Sequence, residues 1–158
     1  MEGRSCCFIS NLNIKEGTDN AKLISQLIQQ LHQLHDAGYR RIFVGYGNLL
    51  ERMIAFLVVF LKEYDLDMEL VLVLPCLNVQ QYMCKADKLR MEYTLPRANK
   101  LVWLKIPDRP MEFLDYHYYL LRTNSCCICT MDDKKRETDS LLRFAEKNQI
   151  EMIPWNLK

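Results

Sequence analysis

Gly45 and Gly47 flank a single tyrosine in Gly45-Tyr46-Gly47-Asn48, between the apolar Phe43-Val44 and the helix-like Leu49-Leu50-Glu51-Arg52. Many α/β proteins hold phosphate with a strand, a glycine turn and a helix. The glycines let backbone N–H groups come close to an anion at the helix N-terminus. Glu51 follows within one helical turn and is a candidate acid or base. The Tyr46 ring either stacks on a base or covers the mouth of an empty pocket. His117, in Asp115-Tyr116-His117-Tyr118-Tyr119, reads as a general base poised near neutral pH or as a hydrogen-bonded packing residue. Cys76 is nucleophilic only if its pKa is lowered, and no histidine stands near it in sequence. Cys127 and Cys129 share one strand face. They read as a conceivable metal pair or as buried thiols, and no zinc-finger spacing accompanies them. Asp132 and Asp133 read as a cation site or a solvated loop, and Lys134, Lys135 and Arg136 as side-on phosphate contacts. No catalytic residue, metal or cofactor is assigned from these patterns.

The chain has 158 residues, enough for one core, and a formal net charge of +1. That charge gives no bulk pull toward nucleic acid or anionic membrane, and neither is expected as a partner. Met53 to Leu61 is the longest apolar run, well short of the roughly 20 residues that span a bilayer. The start, Met1 to Ser10, lacks the apolar core of a signal peptide. The seven cysteines are odd in number, which argues against a disulfide framework. A cytoplasmic protein is expected.

Alternating patterns must position these residues. Strands are predicted over Ser5 to Ile9, Arg40 to Gly45, Met68 to Pro75, Lys100 to Ile106, Ser125 to Met131 and Ile150 to Trp155. Helices are predicted over Ala21 to Tyr39, closed by Gly38, and over Asn48 to Asp67. Others follow over Arg109 to Asn124 and Glu137 to Gln149, with one short and one longer helix within Cys76 to Ala98. Thr18 or Asp19 is the expected cap of the first helix. This order implies one Rossmann-like α/β domain, a mainly parallel sheet with helices on both faces. Positions 53 to 61 are apolar around the whole circumference. Either another subunit covers the extra face or the helix is buried in its own chain; the expectation is a homo-oligomer through this helix.

Four stretches, Ser5 to Ser10, Leu34 to Gly45, Leu61 to Cys76 and Ala86 to Leu104, resemble the YpsA-like branch of the SLOG superfamily, a Rossmann-like group related to DprA and the Lonely-guy proteins. The likeness runs from about Ser5 to Pro154. It rests on element order, on Ala37-Gly38-Tyr39 before the second strand, on Pro75-Cys76 after the third, and on Ala98-Asn99-Lys100 leading into the fourth. It implies a nucleotide-derived small-molecule ligand, but the motifs are altered. Ser10, Asn11 and Leu12 stand where the branch has Gly-His-Arg. Gly45 matches the first glycine of its Gly-x-Ala-x-Gly-x-Asp pattern. Gly47 stands at the small residue, Leu49 at the second glycine and Glu51 at the acid. Tyr116 and His117 replace Arg-Asn. Arg136, Glu137 and Thr138 replace Gly-Gly-Thr, so only Thr138 persists. Leu49 and Arg136 are expected to crowd a phosphate, and Glu137 to repel it. The Pro-Gly-Gly-x-Gly-Thr motif of the Lonely-guy phosphoribohydrolases is absent.

Ligands in open α/β sheets bind beyond the carboxyl ends of the strands. The expected ligand-binding set is therefore Ser10, Asn11, Gly45, Tyr46, Gly47, Asn48, Glu51, Cys76, Asn78, His117, Asp132 and Thr138. The favoured expectation is a non-catalytic binding or sensor domain with an altered nucleotide-ligand pocket. An enzyme acting on a nucleotide or nucleoside phosphate through Glu51 or His117, and a structural oligomeric partner, are the alternatives.

Overall fold

The structure is a computed structural model that describes residues 3–12, 14, 20–74, 83–104 and 113–157. In chain order it runs β1 (Arg4–Ser10), α1 (Asn20–Asp36), β2 (Tyr39–Gly45), α2 (Leu49–Lys62), β3 (Glu69–Leu74), α3 (Lys85–Arg97), β4 (Lys100–Trp103), α4 (Phe113–Arg122), β5 (Cys126–Thr130), α5 (Arg136–Lys147) and β6 (Glu151–Pro154). The strands form one sheet in the order β4-β3-β2-β1-β5-β6. Every adjacent pair is parallel. This is a Rossmann-like α/β architecture. The chain builds outward from β1 to β4 and then returns to the other side of β1, so the strand order reverses between β1 and β5.

Strand residues alternate between the two faces, as a pleated strand requires. Cys6, Phe8, Ile42, Val44, Leu70, Leu72 and Ile128 pack with α1 and α2. Cys7, Ile9, Val73, Cys127 and Cys129 pack with Tyr116, Leu120, Leu121, Leu141 and Ala145 of α4 and α5. Cys7 lies opposite Cys127 in register. The described cysteines are free thiols, and all except Cys84 are buried.

Gly38 stands just past α1 with φ +96, the left-handed conformation expected of a helix-closing glycine. Helix α2 ends at Lys62, earlier than the apolar pattern suggested. The amides of Tyr64, Asp65 and Leu66 all fold back onto Leu61 O, and the turn buries Leu66 and Met68 in the core. The predicted cap residues of α1, Thr18 and Asp19, and the short helix expected after Cys76 lie outside the described residues, as do Cys76 and Asn78 themselves.

Most of the apolar circumference of α2 is covered from within the chain. Its buried residues include Met53, Ile54, Ala55, Leu57, Val58, Val59 and Leu61. The remaining face carries Phe56 and Phe60, half-buried, with ring centroids 5.6 Å apart. Phe56 also lies 5.4 Å from Tyr93 of α3. Much of the extra apolar face is thus buried within the chain, Phe56 against α3, while Phe60 stays half-buried beside the exposed Tyr64. No helix among the described residues is long and apolar enough to cross a membrane.

Candidate functional site

The glycine turn lies between the end of β2 and the start of α2. Asn48 is the N-cap of α2, in extended conformation, and its Oδ1 accepts the Glu51 N–H at 2.9 Å. Glu51 returns the contact, its Oε1 accepting the Asn48 N–H at 3.1 Å. This is a capping box, which satisfies two helix-end amides reciprocally. The same Oε1 also accepts the Gly47 N–H at 3.1 Å. Two amides of the turn that would cradle a phosphate are thus bonded to the protein's own carboxylate.

Glu51 reaches further, to α4 on the opposite layer. Tyr116 Oη donates to Glu51 Oε1 at 3.0 Å, and His117 Nε2 lies 2.8 Å from Glu51 Oε2. Glu51 and His117 are fully buried and Tyr116 nearly so. Burial first, and then the adjacent Glu51 carboxylate, raise the Tyr116 pKa well above its usual value. The phenol therefore stays protonated and donating. The glycines serve this packing. A Cβ on Gly45 would lie 2.6 Å from Tyr116 Cε2 and 2.9 Å from Glu51 Oε2. A Cβ on Gly47 would run into the Tyr116 hydroxyl. Neither glycine has positive φ, so space rather than backbone conformation requires them.

A second polar knot sits where the strand order reverses. Asn11, just past β1, accepts the Asp132 N–H on Oδ1 at 2.7 Å and donates from Nδ2 to Thr138 Oγ1 at 2.9 Å. Thr138 Oγ1 donates in turn to Asp132 O at 2.6 Å. Lys135 Nζ donates to Asn11 O. The two knots meet at Ser10, which is fully buried. Its carbonyl accepts Asn48 Nδ2 at 2.8 Å, and its Oγ accepts the Leu12 N–H at 3.2 Å. A cavity of ≈ 480 Å³ opens beside Thr138, with Leu12, Met131, Leu142 and Trp155 in its wall.

Of the expected residues, Ser10, Asn11, Gly45, Gly47, Asn48, Glu51, His117, Asp132 and Thr138 converge on these two knots. Tyr46 does not. Its ring is fully buried in the core cluster shared with α2, so it neither stacks on a ligand nor covers a mouth. Leu49 packs against the same core, and Arg136 is exposed. At the turn, the Glu51 carboxylate occupies the Gly47 and Asn48 amides. The capping box was legible as Asn48-x-x-Glu51. The Lys135 contact had no signal beyond its charge.

Cys127 and Cys129 share a face, as their spacing predicts, with Cys7 beside them. Burial pushes the Cys129 thiol up to about 11. Contact with Cys7, and then burial, raise Cys127 well above its usual range. Thiols held protonated in this way are poor nucleophiles. Among the described residues, no group of three or more His, Cys, Asp or Glu is arranged to hold a metal ion.

Fold and site together define a Rossmann-like α/β protein whose glycine turn is closed by an internal carboxylate. No protein-family model matches the chain, and no curated protein matches it.

Proposed function

We propose that the protein is a non-catalytic binding or sensor domain of the SLOG type, with an altered pocket for a nucleotide-derived small molecule. The observation that carries this reading is the Glu51 carboxylate, bonded to the Gly47 and Asn48 amides where a substrate phosphate would bind. A negative charge there repels phosphate from amides that are already satisfied. The cavity beside Thr138 falls within the size range of small-molecule sites, about 300–1,000 Å³. The resemblance in element order to YpsA-like proteins is the support for a nucleotide-derived ligand.

The enzyme reading draws on one observation, the 2.8 Å contact between Glu51 and His117, which is acid/base geometry. Both side chains are fully buried, and a substrate would have to open the site to reach them. Homo-oligomerisation through Met53 to Leu61 keeps as support only the half-buried Phe56 and Phe60, the rest of that stretch being buried in the chain.

The test is a thermal-shift screen of nucleotides and nucleotide-derived signals, followed by a product assay on every compound that binds. A ligand present at 100 times its Kd stabilises by about 2.7 kcal/mol, or roughly 5–10 °C in a protein of this size. The expected result is a saturable shift for one compound and no turnover. Turnover abolished by Glu51→Gln would establish the enzyme instead. No shift across the panel would remove the binding reading.

A further inference from the structure

The cavity beside Thr138 lies beyond the carboxyl ends of three neighbouring strands. Leu12 enters it from the segment after β1, Met131 and Asp133 from the loop after β5, and Trp155 and Leu157 from the tail after β6. The sheet order reverses between β1 and β5, and that crevice is where open α/β sheets take their ligands. The tail is fixed in place. The backbone N–H of Trp155 donates to Cys129 O at 2.8 Å, and its ring lies 5.7 Å from that of Phe8. Met152 of β6 and Leu142 of α5 complete the apolar wall. Leu142 is 40% exposed, so a ligand seated here would cover apolar surface that the fold leaves open.

Among the described residues, Asp133 is the only charged side chain in the lining, and no hydrogen bond or ion pair engages its carboxylate. Burial first, then Cys7, then this carboxylate push up the Cys129 thiol in the same wall, so the Asp133 charge is felt inside the cavity. Nothing in the lining answers it. Lys134, Lys135 and Arg136 do not line the cavity, and Lys135 Nζ donates to Asn11 O. The first turn of α5 carries Glu137 and Asp139, which offset the positive end of that helix. An anion entering here meets a negative charge and no cation. A neutral molecule with hydroxyl groups meets a free carboxylate, with Thr130 and Asn156 as further polar groups.

We propose that this cavity binds a nucleoside without its phosphate, the base against Met131, Met152 and Trp155 and the ribose hydroxyls donating to Asp133. An indole and two thioethers give a flat ring polarisable surfaces to pack on. A carboxylate has two oxygens for the paired hydroxyls of a ribose. The proposal rests on the binding-domain reading and narrows its ligand. Glu51 occupies the turn amides that a phosphate would need, and Asp133 repels a phosphate from the cavity.

Isothermal titration with adenosine, guanosine, cytidine and uridine, and with their 5′-monophosphates, tests the proposal at low ionic strength on wild type, Asp133→Asn, Asp133→Lys and Leu142→Ala. Both positions are exposed, so the variants are chosen to stay folded. Wild type is expected to bind at least one ribonucleoside, several-fold more tightly than its monophosphate. Asp133→Asn and Leu142→Ala should each weaken that nucleoside several-fold. Asp133→Lys should reverse the preference, toward the monophosphate. Monophosphates that bind wild type as tightly as the nucleosides overturn the proposal, and so does a nucleoside whose affinity is unchanged in all three variants. Either result leaves a binding domain with a different ligand or a site elsewhere. Failure of every nucleoside to bind also overturns the proposal, and the thermal-shift screen of other nucleotide-derived signals then decides the binding-domain reading by itself.

Discussion

Replacing Gly45 by alanine separates two roles for the glycine turn. If Gly45 serves only to admit a ligand phosphate, the substitution is harmless in the empty protein. It should even stabilise by about 0.4–1 kcal/mol, because alanine restricts the unfolded chain and the backbone here is not left-handed. The packing around Gly45 predicts the opposite sign. The new methyl would lie 2.6 Å from Tyr116 Cε2 and 2.9 Å from Glu51 Oε2. Ordinary carbon contacts lie near 3.5–4.0 Å, so the ring must retreat by about 1 Å. Forced overpacking costs about 1–3 kcal/mol. The retreat also strains the 3.0 Å bond from Tyr116 to Glu51, and losing a hydrogen bond to a charged group costs about 1.5–3 kcal/mol. Gly45→Ala should therefore destabilise by about 3–5 kcal/mol, a large share of a typical 5–15 kcal/mol. Urea unfolding followed by circular dichroism measures this directly, as a lower midpoint at unchanged m-value. Tyr116→Phe keeps the clashing ring carbons but has already lost the hydrogen bond. The double variant should thus cost less than the sum of the singles by about 1.5–3 kcal/mol. A Gly45→Ala protein within 0.5 kcal/mol of wild type, or more stable, would refute the packing account.

Thr138→Val keeps the shape but removes the hydroxyl that accepts from Asn11 and donates to Asp132 O. We expect a loss of about 2–3 kcal/mol and a melting temperature lower by roughly 4–12 °C; an unchanged melting curve would show that the second knot contributes nothing. Stability should fall as pH rises from 9 to 11. The Cys129 thiol titrates near 9.0 when unfolded and is pushed up to about 11 by burial, so over that window the unfolded chain has shed a proton that the native state still holds. Tyr46 shifts in the same direction, to about 12. Urea midpoints measured across this range should show a shallower alkaline decline for Cys129→Ala than for wild type, and equal slopes would remove Cys129 as a cause.

Much of this protein was legible from neighbouring residues alone. Leu27, Leu31 and Leu34 recur at helical spacing in the sequence and are the buried residues of α1. Gly38 closes that helix because only a residue tolerant of positive φ does so cheaply. Alternating strand and helix patterns implied a parallel sheet, and the sheet is parallel throughout its described strands. These features depend on local periodicity and turn chemistry, which a sequence carries directly. The strand order, and everything that follows from it, depends on contacts between distant residues. Glu51 meets Tyr116 and His117 across 65 and 66 positions, and Asn11 meets Thr138 across 127. The spacing of Asn48 and Glu51 could announce the capping box, but no local pattern announced that the same carboxylate would be roofed by a tyrosine and a histidine from another layer. Composition made α2 apolar all round; only the packing of the sheet, α1 and α3 against it decided that most of the cover came from the same chain. Tyr46, between two glycines, was read as a ring that stacks on a base or covers the mouth of an empty pocket, yet it is fully buried in the core. Sequence determined which elements form. Tertiary structure decided which side chains meet, because that depends on where each strand enters the sheet.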